Sequence, residues 1–447
     1  MAFQVSPGVN VSEVDLTAGV QTVSLSAGAF VGPFQWGPAF EVTNIASEAD
    51  LVNTFGKPDT DTFKYWFSAA AFLAYSNQLK VVRAVTGDAL NASDSGGGVL
   101  VKNQTDYEVT FPTGANTYGF AIAKYPGDLG NSLKVSVCPS ATAFGSWDYA
   151  NQFAAAPGTS DWADARGGAA DEMHVVVVDE DGAFTGVANT VLERYAFLSK
   201  ANDAKNNAGD PNYYANVLNR KSAYIYWMSA QGSNTDHWGE ASTNTFGADA
   251  TPYTASLSDG LTDNNNIGTG DIETGWDLFA DPDSQDISLL ITGPSVVNGA
   301  DATLANYVID NIAEVRKDCV AFVSPSSNSV VNHAGSEVTD VLADRNALTS
   351  TSYAVMDSGW KYVYDKYNDV YRWVPLNGDI AGLAARTDTT NDPWFSPAGF
   401  NRGVVKNVVK LSWNPKQLDR DNLYSKGVNP VVSFPAQGVV LYGDKTL

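Results

Sequence analysis

The sequence has little of the chemistry that metal sites need, with two cysteines and three histidines in 447 residues. Cys138 and Cys319 stand far apart in apolar, strand-like runs. This setting favours buried free thiols over a disulfide or a reactive site. The cysteines and histidines share no ligand spacing typical of zinc. We therefore predict no metal site and no cofactor.

Basic residues are also scarce, since 27 Lys and Arg face 50 Asp and Glu for a formal net charge of −23. No basic arm or stripe interrupts this excess. Binding of nucleic acid through neutralised phosphates is therefore not expected. An acidic surface also repels copies of itself, so any self-assembly must rest on backbone pairing, on apolar contact or on a basic partner.

Long apolar runs are missing as well. No window holds eighteen uncharged apolar residues, and the start MAFQVSPGVNV has no basic region followed by an apolar core. We expect a chain that is made in the cytoplasm without a secretion signal and does not insert into a membrane.

What the sequence does contain is an α/β pattern in both of its end regions. At 447 residues, two to four domains are expected. In residues 23–88, predicted strands alternate with a buried helix at 63–75. Residues 265–447 show the same alternation, with helix 302–316 between two strands. A strand, a helix and a strand at this spacing imply parallel neighbours in one sheet. The predicted fold class is mixed α/β, with one body formed from both regions.

Residues 89–264 are predicted as an inserted, strand-rich domain. It begins at a Gly- and Ser-rich segment, residues 87–98, whose composition is typical of a linker. Residues 187–198 have apolar spacing that predicts a helix within it.

Residues 1–22 predict an extended arm. Pro7 and Gly8 exclude a helix, and the apolar positions are too few for a core of their own. Such a segment must bury its apolar face on a neighbour. The candidate contact residues are Phe3, Val5, Val9, Val11 and Val14.

The most aromatic stretch is residues 360–402, with three Trp, four Tyr and two Phe. Alternation on either side of residues 367–369 predicts a hairpin. The aromatic side chains fit a docking surface and an ordinary core equally well. The residues assigned to body packing are Trp360, Tyr364, Tyr367 and Trp373.

No catalytic motif is complete. Ser295 follows a strand, but Val297 replaces the second glycine of a nucleophile elbow and Pro294 fills its variable position. No glycine-rich phosphate loop exists, and the acids of residues 281–286 lack the rest of a calcium loop. Two alternatives to a structural protein stay open. One is a carbohydrate-binding module that stacks ligands on exposed tryptophans, namely Trp227, Trp238, Trp360, Trp373 and Trp394. The other is an α/β hydrolase that acts through Ser295.

Eight motifs in order along the chain resemble the contractile tail sheath proteins of myovirus-type, T-even-like bacteriophages. They are residues 34–40 (FQWGPAF), 50–56 (DLVNTFG), 80–85 (KVVRAV), 125–131 (YPGDLGN), 364–369 (YDKYND), 372–375 (RWVP), 396–403 (SPAGFNRG) and 440–446 (VLYGDKT). Relatives continue past the last motif, and a C-terminally truncated chain with an incomplete polymerisation segment is therefore expected.

The resemblance implies a structural virion protein without enzymatic activity. Identical subunits would form a helical sheath around the tail tube protein, with the baseplate and the tail terminator proteins as further partners. Contraction of the sheath would drive the tube through the host envelope. Terminal arms would join neighbours by strand addition, so that the lattice persists while subunits rotate.

Overall fold

The computed structural model describes residues 26–112, 115–228, 238–247, 249–296 and 301–447. The predicted arm at residues 1–22, with Phe3, Val5, Val9, Val11 and Val14, lies outside the described residues.

Strands supply five sheets in the described part of the chain. They are β1 Gly28–Gly32, β2 Thr43–Ile45, β3 Leu79–Arg83, β4 Ala121–Ala123, β5 Leu133–Cys138, β6 Glu172–Asp179, β7 Thr190–Ser199, β8 Ile225–Trp227, β9 Tyr253–Ser256, β10 Leu289–Ile291, β11 Val320–Val323, β12 Ala354–Asp357, β13 Trp360–Asp365, β14 Val370–Pro375, β15 Lys410–Leu411, β16 Val428–Asn429, β17 Val431–Phe434 and β18 Gly438–Leu441.

Most helices flank the largest sheet. The α-helices are α1 Glu48–Phe55, α2 Phe63–Leu73, α3 Gln104–Thr110, α4 Ala141–Phe144, α5 Asp161–Asp164, α6 Tyr214–Lys221, α7 Thr269–Trp276, α8 Thr303–Tyr307, α9 Glu314–Arg316, α10 Ser327–Val330, α11 Glu337–Ala347, α12 Asn377–Thr390 and α13 Gln417–Ser425. Short 3-10 helices span Asn116–Tyr118, Asp128–Ser132, Ala150–Gln152, Asn264–Asn266 and Asp277–Phe279, and a π-helical segment, Val308–Ala313, joins α8 to α9.

The body is a seven-stranded sheet in the order β16-β12-β11-β10-β1-β3-β2, parallel except for the antiparallel edge strand β2. β1 lies between β3 and β10, so strands from both end regions meet at its centre. Helices α2 and α12 cover one face, while α7, α8 and the π-helical segment Val308–Ala313 cover the other. The predicted fold class is confirmed: a single α/β body is built from two distant parts of the chain, with a strand-rich insertion between them.

The insertion holds a four-stranded antiparallel sheet in the order β7-β6-β5-β9 and the pair β4-β8. The helix predicted at residues 187–198 is wrong, because this segment forms β7 against the buried strand β6. Two register shifts and a positive φ of 55° at Phe197 disturb the two-residue alternation. Bulges of this kind leave apolar residues at intervals that imitate helical spacing.

The predicted linker at residues 87–98 is an ordered joint between the body and the insertion. Ala89, Asn91, Ala92 and Ser93 are fully buried there. The Asn91 side-chain amide donates to the carbonyls of Val101 and Ala123, and its oxygen accepts from the Val101 N–H. The linker interpretation is therefore wrong, because small residues fit a tight backbone crossing as well as they fit a flexible tether.

Arg83, which belongs to the body, also stabilises this joint. Its guanidinium is fully buried and donates to the carbonyls of Phe34, Gly37 and Pro126 at 3.0, 2.9 and 2.7 Å. Burial lowers the pKa of Arg83 to about 9. Because Pro126 belongs to the insertion, this one side chain links the two units.

Candidate interaction surfaces

The aromatic hairpin, β13 with β14, is attached to the body by a buried ion pair on its inner face. The Lys361 Nζ lies 2.8 Å from both carboxylate oxygens of Asp379 on α12, and both side chains are buried. The Tyr75 hydroxyl donates to the same carboxylate at 3.1 Å. Burial raises the pKa of Asp379, and the Lys361 ammonium opposes that rise. Asp365 is also buried, and it accepts from the Arg372 guanidinium at 2.8 Å.

A second buried carboxyl group lies at the end of β12. The Ser324 hydroxyl donates to Asp357 at 2.5 Å, and the Gly359 N–H donates to its other oxygen at 2.9 Å. Burial raises the pKa of Asp357 to about 8. Burial therefore outweighs the two hydrogen bonds, each of which favours the ionised form of the carboxyl.

The four residues assigned to body packing occupy different environments. Trp360 is buried, and its Nε1–H donates to the Pro325 carbonyl at 2.7 Å. Tyr367 packs its ring edge on Trp66 and donates its hydroxyl to Glu48. Trp373 is half-buried and lies 4.6 Å from the Tyr362 ring.

Tyr364 differs from these three, because it lies on the outer face of the hairpin and is 48% exposed. It belongs to a row of rings, Tyr364, Tyr371, Tyr362 and Trp373, which we call the aromatic ladder. Tyr371 is 52% exposed in the same row. The inner face of the hairpin thus packs against the body, while its outer face is exposed to solvent.

A second exposed surface, the C-terminal aromatic patch, consists of Trp394, Phe395, Phe400, Phe434 and Tyr442. Trp394 is 78% exposed, and Phe395, Phe400 and Tyr442 are each more than 40% exposed. Phe400, Phe434 and Tyr442 contact one another with ring centroids 5.1 to 5.6 Å apart. Exposed apolar clusters of this kind mark interaction sites.

The patch is brought together by backbone pairing. The Gly399 N–H donates to the Leu441 carbonyl, and the Leu441 N–H donates to the Gly403 carbonyl. These bonds hold residues 399–403 along β18. The guanidinium groups of Arg402 and Arg420 lie over the Phe395 and Phe434 rings at 5.4 and 5.8 Å. A groove of about 560 Å³ opens beside the patch, between α13 and Tyr442.

Most of the residues that the two alternative functions would need are buried and therefore inaccessible to ligands. Ser295 is buried and donates its hydroxyl to Thr292 at 2.7 Å. Three of the stacking candidates, Trp227, Trp238 and Trp360, are also buried. Trp373 is half-buried in the ladder, and Trp394 belongs to the patch. The sequence thus singled out one member of the patch, but for a different purpose.

Cysteine and acidic side chains form no reactive or metal-binding arrangement within the described ranges. Both predicted free thiols, Cys138 and Cys319, are buried and unpaired with each other, which confirms that prediction. Among the residues that the structure describes, His, Cys, Asp and Glu side chains do not gather in groups that could hold a metal ion. In the same residues, no helix has the length and apolar character needed to cross a bilayer.

Two family models match the body of the fold. The phage tail sheath protein central domain matches residues 265–447, and the tail sheath protein Gp18 domain III N-terminal region matches residues 29–84. These are the two regions whose strands meet in the seven-stranded sheet.

Similar proteins extend the match over almost the whole chain. The tail sheath protein of Enterobacteria phage T4 is 30% identical, over 99% of this chain and 81% of that protein. The tail sheath protein of Salmonella phage ViI is 31% identical, over 100% of this chain and 80% of that protein. A sheath tail protein from Listeria innocua shares the fold, with a TM-score of 0.53 and 11% identity over 94% of this chain and 68% of that one. The chain therefore belongs to the phage tail sheath protein family.

Proposed function

We propose that the chain is a structural subunit of a contractile phage tail sheath, which polymerises helically around the tail tube. Contraction drives the tube through the host envelope. The observation that carries this proposal is 30% identity to the tail sheath protein of phage T4 over 99% of the chain. Relatives of this kind are structural proteins, and the buried position of Ser295 supports a role without catalysis.

The proposed partners are identical subunits, the tail tube protein, the baseplate and the tail terminator. Neither nucleic acid nor insertion into a membrane has a part in this function, in keeping with a net charge of −23. The subunit is made in the host cytoplasm and ends in the virion tail.

The proposed division of the chain follows the sheets. Residues 1–22 are the arm, 23–88 and 265–447 the two parts of the body, and 89–264 an outer domain. The ordered joint at Arg83 and Asn91 supports motion of the body and outer domain as one unit during contraction.

Contacts between subunits are assigned to the arm and to the C-terminal aromatic patch. An acidic subunit needs apolar contact and backbone pairing to overcome repulsion between copies. Phe3, Val5, Val9, Val11 and Val14 supply apolar side chains, and the patch supplies exposed rings. In the sheath, we assign the patch of each subunit to contact with the arm of a neighbour.

Negative-stain electron microscopy of the purified sheath protein, with both of its termini intact, tests the proposed function. Striated tubes are expected as the subunit concentration rises. A chain that stays monomeric at every concentration would contradict the proposal. Deletion of residues 1–20 should abolish the tubes and leave the thermal unfolding transition of the body in place; loss of that transition would show that these residues belong to the core instead.

A further inference from the structure

Among the lysine–carboxylate ion pairs of the described residues, Lys361–Asp379 is the one that is closed to water on both sides. The two side chains are 3% and 1% exposed. In the Lys134–Glu180 pair the side chains are 16% and 29% exposed, and the remaining lysine pair is more exposed still. A primary amine and a carboxyl group therefore face each other in the interior, where bulk water has no access to them.

The two groups are close enough for a bond to form between them. The Lys361 Nζ lies 2.8 Å from both oxygens of the Asp379 carboxylate. An atom at that distance from both oxygens lies about 3 Å from the carboxyl carbon, which is the separation of a near-attack geometry. Well-oriented groups held in this way reach effective concentrations of about 10⁵ M or more. Such a concentration favours condensation of an amine with a carboxyl group, which dilute groups in water do not undergo.

Burial also favours the uncharged forms that this reaction needs. It penalises both charged groups, and it raises the pKa of Asp379. The charge of the Lys361 ammonium opposes that rise, so the ion pair is the major form and the neutral pair the minor one. Transfer of one proton from the ammonium to the carboxylate produces the neutral pair. A free amine and a protonated carboxyl group thus arise within the pair, without a third group.

Tyr75 lies where it can stabilise the intermediate of such a reaction. Its hydroxyl donates to Oδ1 of Asp379 at 3.1 Å and accepts from the Lys406 N–H at 2.6 Å. When the amine attacks the carboxyl carbon, negative charge develops on Oδ1, and this donor is already in contact with it. One proton then moves from the attacking nitrogen to Oδ2, which leaves as water.

We propose that Lys361 and Asp379 condense after folding to form an amide between their side chains. The Nζ–Cγ bond forms, the Cγ–Oδ2 bond breaks and one water is released, so the reaction needs no oxidant, cofactor or second protein. The ion pair is the state from which the amide forms. The amide joins β13 covalently to α12, and the hairpin then stays attached to the body when the surrounding contacts open. No neighbouring subunit takes part, so the proposed function can stand or fail separately.

Intact-mass spectrometry of the purified full chain, followed during incubation at neutral pH, tests the proposal. The mass should fall by that of one water as the amide forms. Tryptic digestion then locates the bond, because trypsin does not cleave after an acylated lysine, and residues 346–366 should appear joined to residues 373–386. Lys134 is the internal control, since its pair with Glu180 is partly exposed, and cleavage after it should be normal.

Two variants test the assigned roles. Lys361→Arg keeps a positive charge opposite Asp379, but a guanidinium that stays protonated is not a nucleophile, so this chain should keep its full mass. Tyr75→Phe removes the donor to Oδ1 and should slow amide formation about tenfold or more. Thermal unfolding of each variant checks that the chain is folded during the incubation.

Three results would contradict the proposal. The first is a folded, unaltered chain that keeps its full mass and releases residues 346–361 and 373–386 as separate peptides. The second is a loss of water that maps within residues 373–386 alone, because an aspartate can also cyclise onto its own backbone. The third is the same loss of water in Lys361→Arg. An unchanged rate in Tyr75→Phe would remove the role assigned to the tyrosine.

Discussion

The aromatic hairpin and the C-terminal aromatic patch are similar in composition but differ in what lies behind their rings. The inner face of the hairpin makes the buried Lys361–Asp379 ion pair with α12, so the body holds the hairpin in one orientation. The rings of the patch form two contacting groups, each with a guanidinium group over one ring, and Trp394 is 78% exposed. Aromatic content alone therefore does not separate a packing element from an interaction surface, whereas buried polar anchors do.

The largest expected difference between the two regions is the loss in free energy of unfolding when a tryptophan is replaced by alanine. Trp360→Ala should reduce the free energy of unfolding by about 3 to 5 kcal/mol, because it leaves a cavity and an unpaired Pro325 carbonyl. Trp394→Ala should change it by no more than about 0.5 kcal/mol. Chemical denaturation of both variants measures this. Equal losses would remove the distinction between the hairpin and the patch.

The buried ion pair of the hairpin should be the next most costly to break. Lys361→Ala leaves the Asp379 carboxylate buried without its cation, and a loss of about 3 kcal/mol is expected. The exposed Lys57 is the matched control, and Lys57→Ala should be nearly neutral. Thermal unfolding of the two variants gives the comparison. A neutral Lys361→Ala would mean that this ion pair does not stabilise the attachment of the hairpin to the body.

A further effect, smaller when expressed per pH unit, concerns the pH dependence of the body next to the hairpin. The pKa of Asp357 is raised to about 8 in the folded chain, against about 3.9 when unfolded. The folded state therefore binds the extra proton between these values, and this contribution to stability is lost as the pH rises through 8. The loss from this group should approach about 1.4 kcal/mol per pH unit below that value.

Asp357→Asn should flatten the fall in unfolding free energy between pH 5 and 8, since the amide cannot ionise. Asp283→Asn, at an exposed position, should leave that profile unchanged. Denaturant titrations at several pH values provide the measurement. An identical profile for Asp357→Asn and the unaltered chain would show that this carboxyl does not stay protonated when folded.

The hairpin was predictable from sequence because its signals are local. Alternation in residues 361–374 and the turn around Asn368 predicted β13 and β14, and their pairing follows. The patch was not predictable in the same way. Phe434 and Tyr442 lie more than thirty residues from Phe400 along the chain, and only the pairing of residues 399–403 with β18 brings them together.

Dependence on contacts with other segments of the chain also explains the two wrong predictions in the insertion. The apolar spacing of β7 fits a helix until β6 and its bulges supply the partner. The Gly- and Ser-rich segment at 87–98 resembles a linker until Asn91 is seen to satisfy backbone groups of two neighbouring segments. In both cases, contacts between distant residues override a local pattern. The seven-stranded body was predicted because helix and strand spacing in its two parts agreed with the tertiary structure.

Polymerisation of two double variants tests most directly the claim that the patch, and not the ladder, joins subunits. The Trp394→Ala/Phe400→Ala change should raise the concentration needed for assembly about tenfold or more, which corresponds to about 1.4 kcal/mol. The Tyr364→Ala/Tyr371→Ala change should alter it by less than about twofold. Sedimentation across a concentration series gives both values. A larger effect from the ladder variant, or none from the patch variant, would contradict the account.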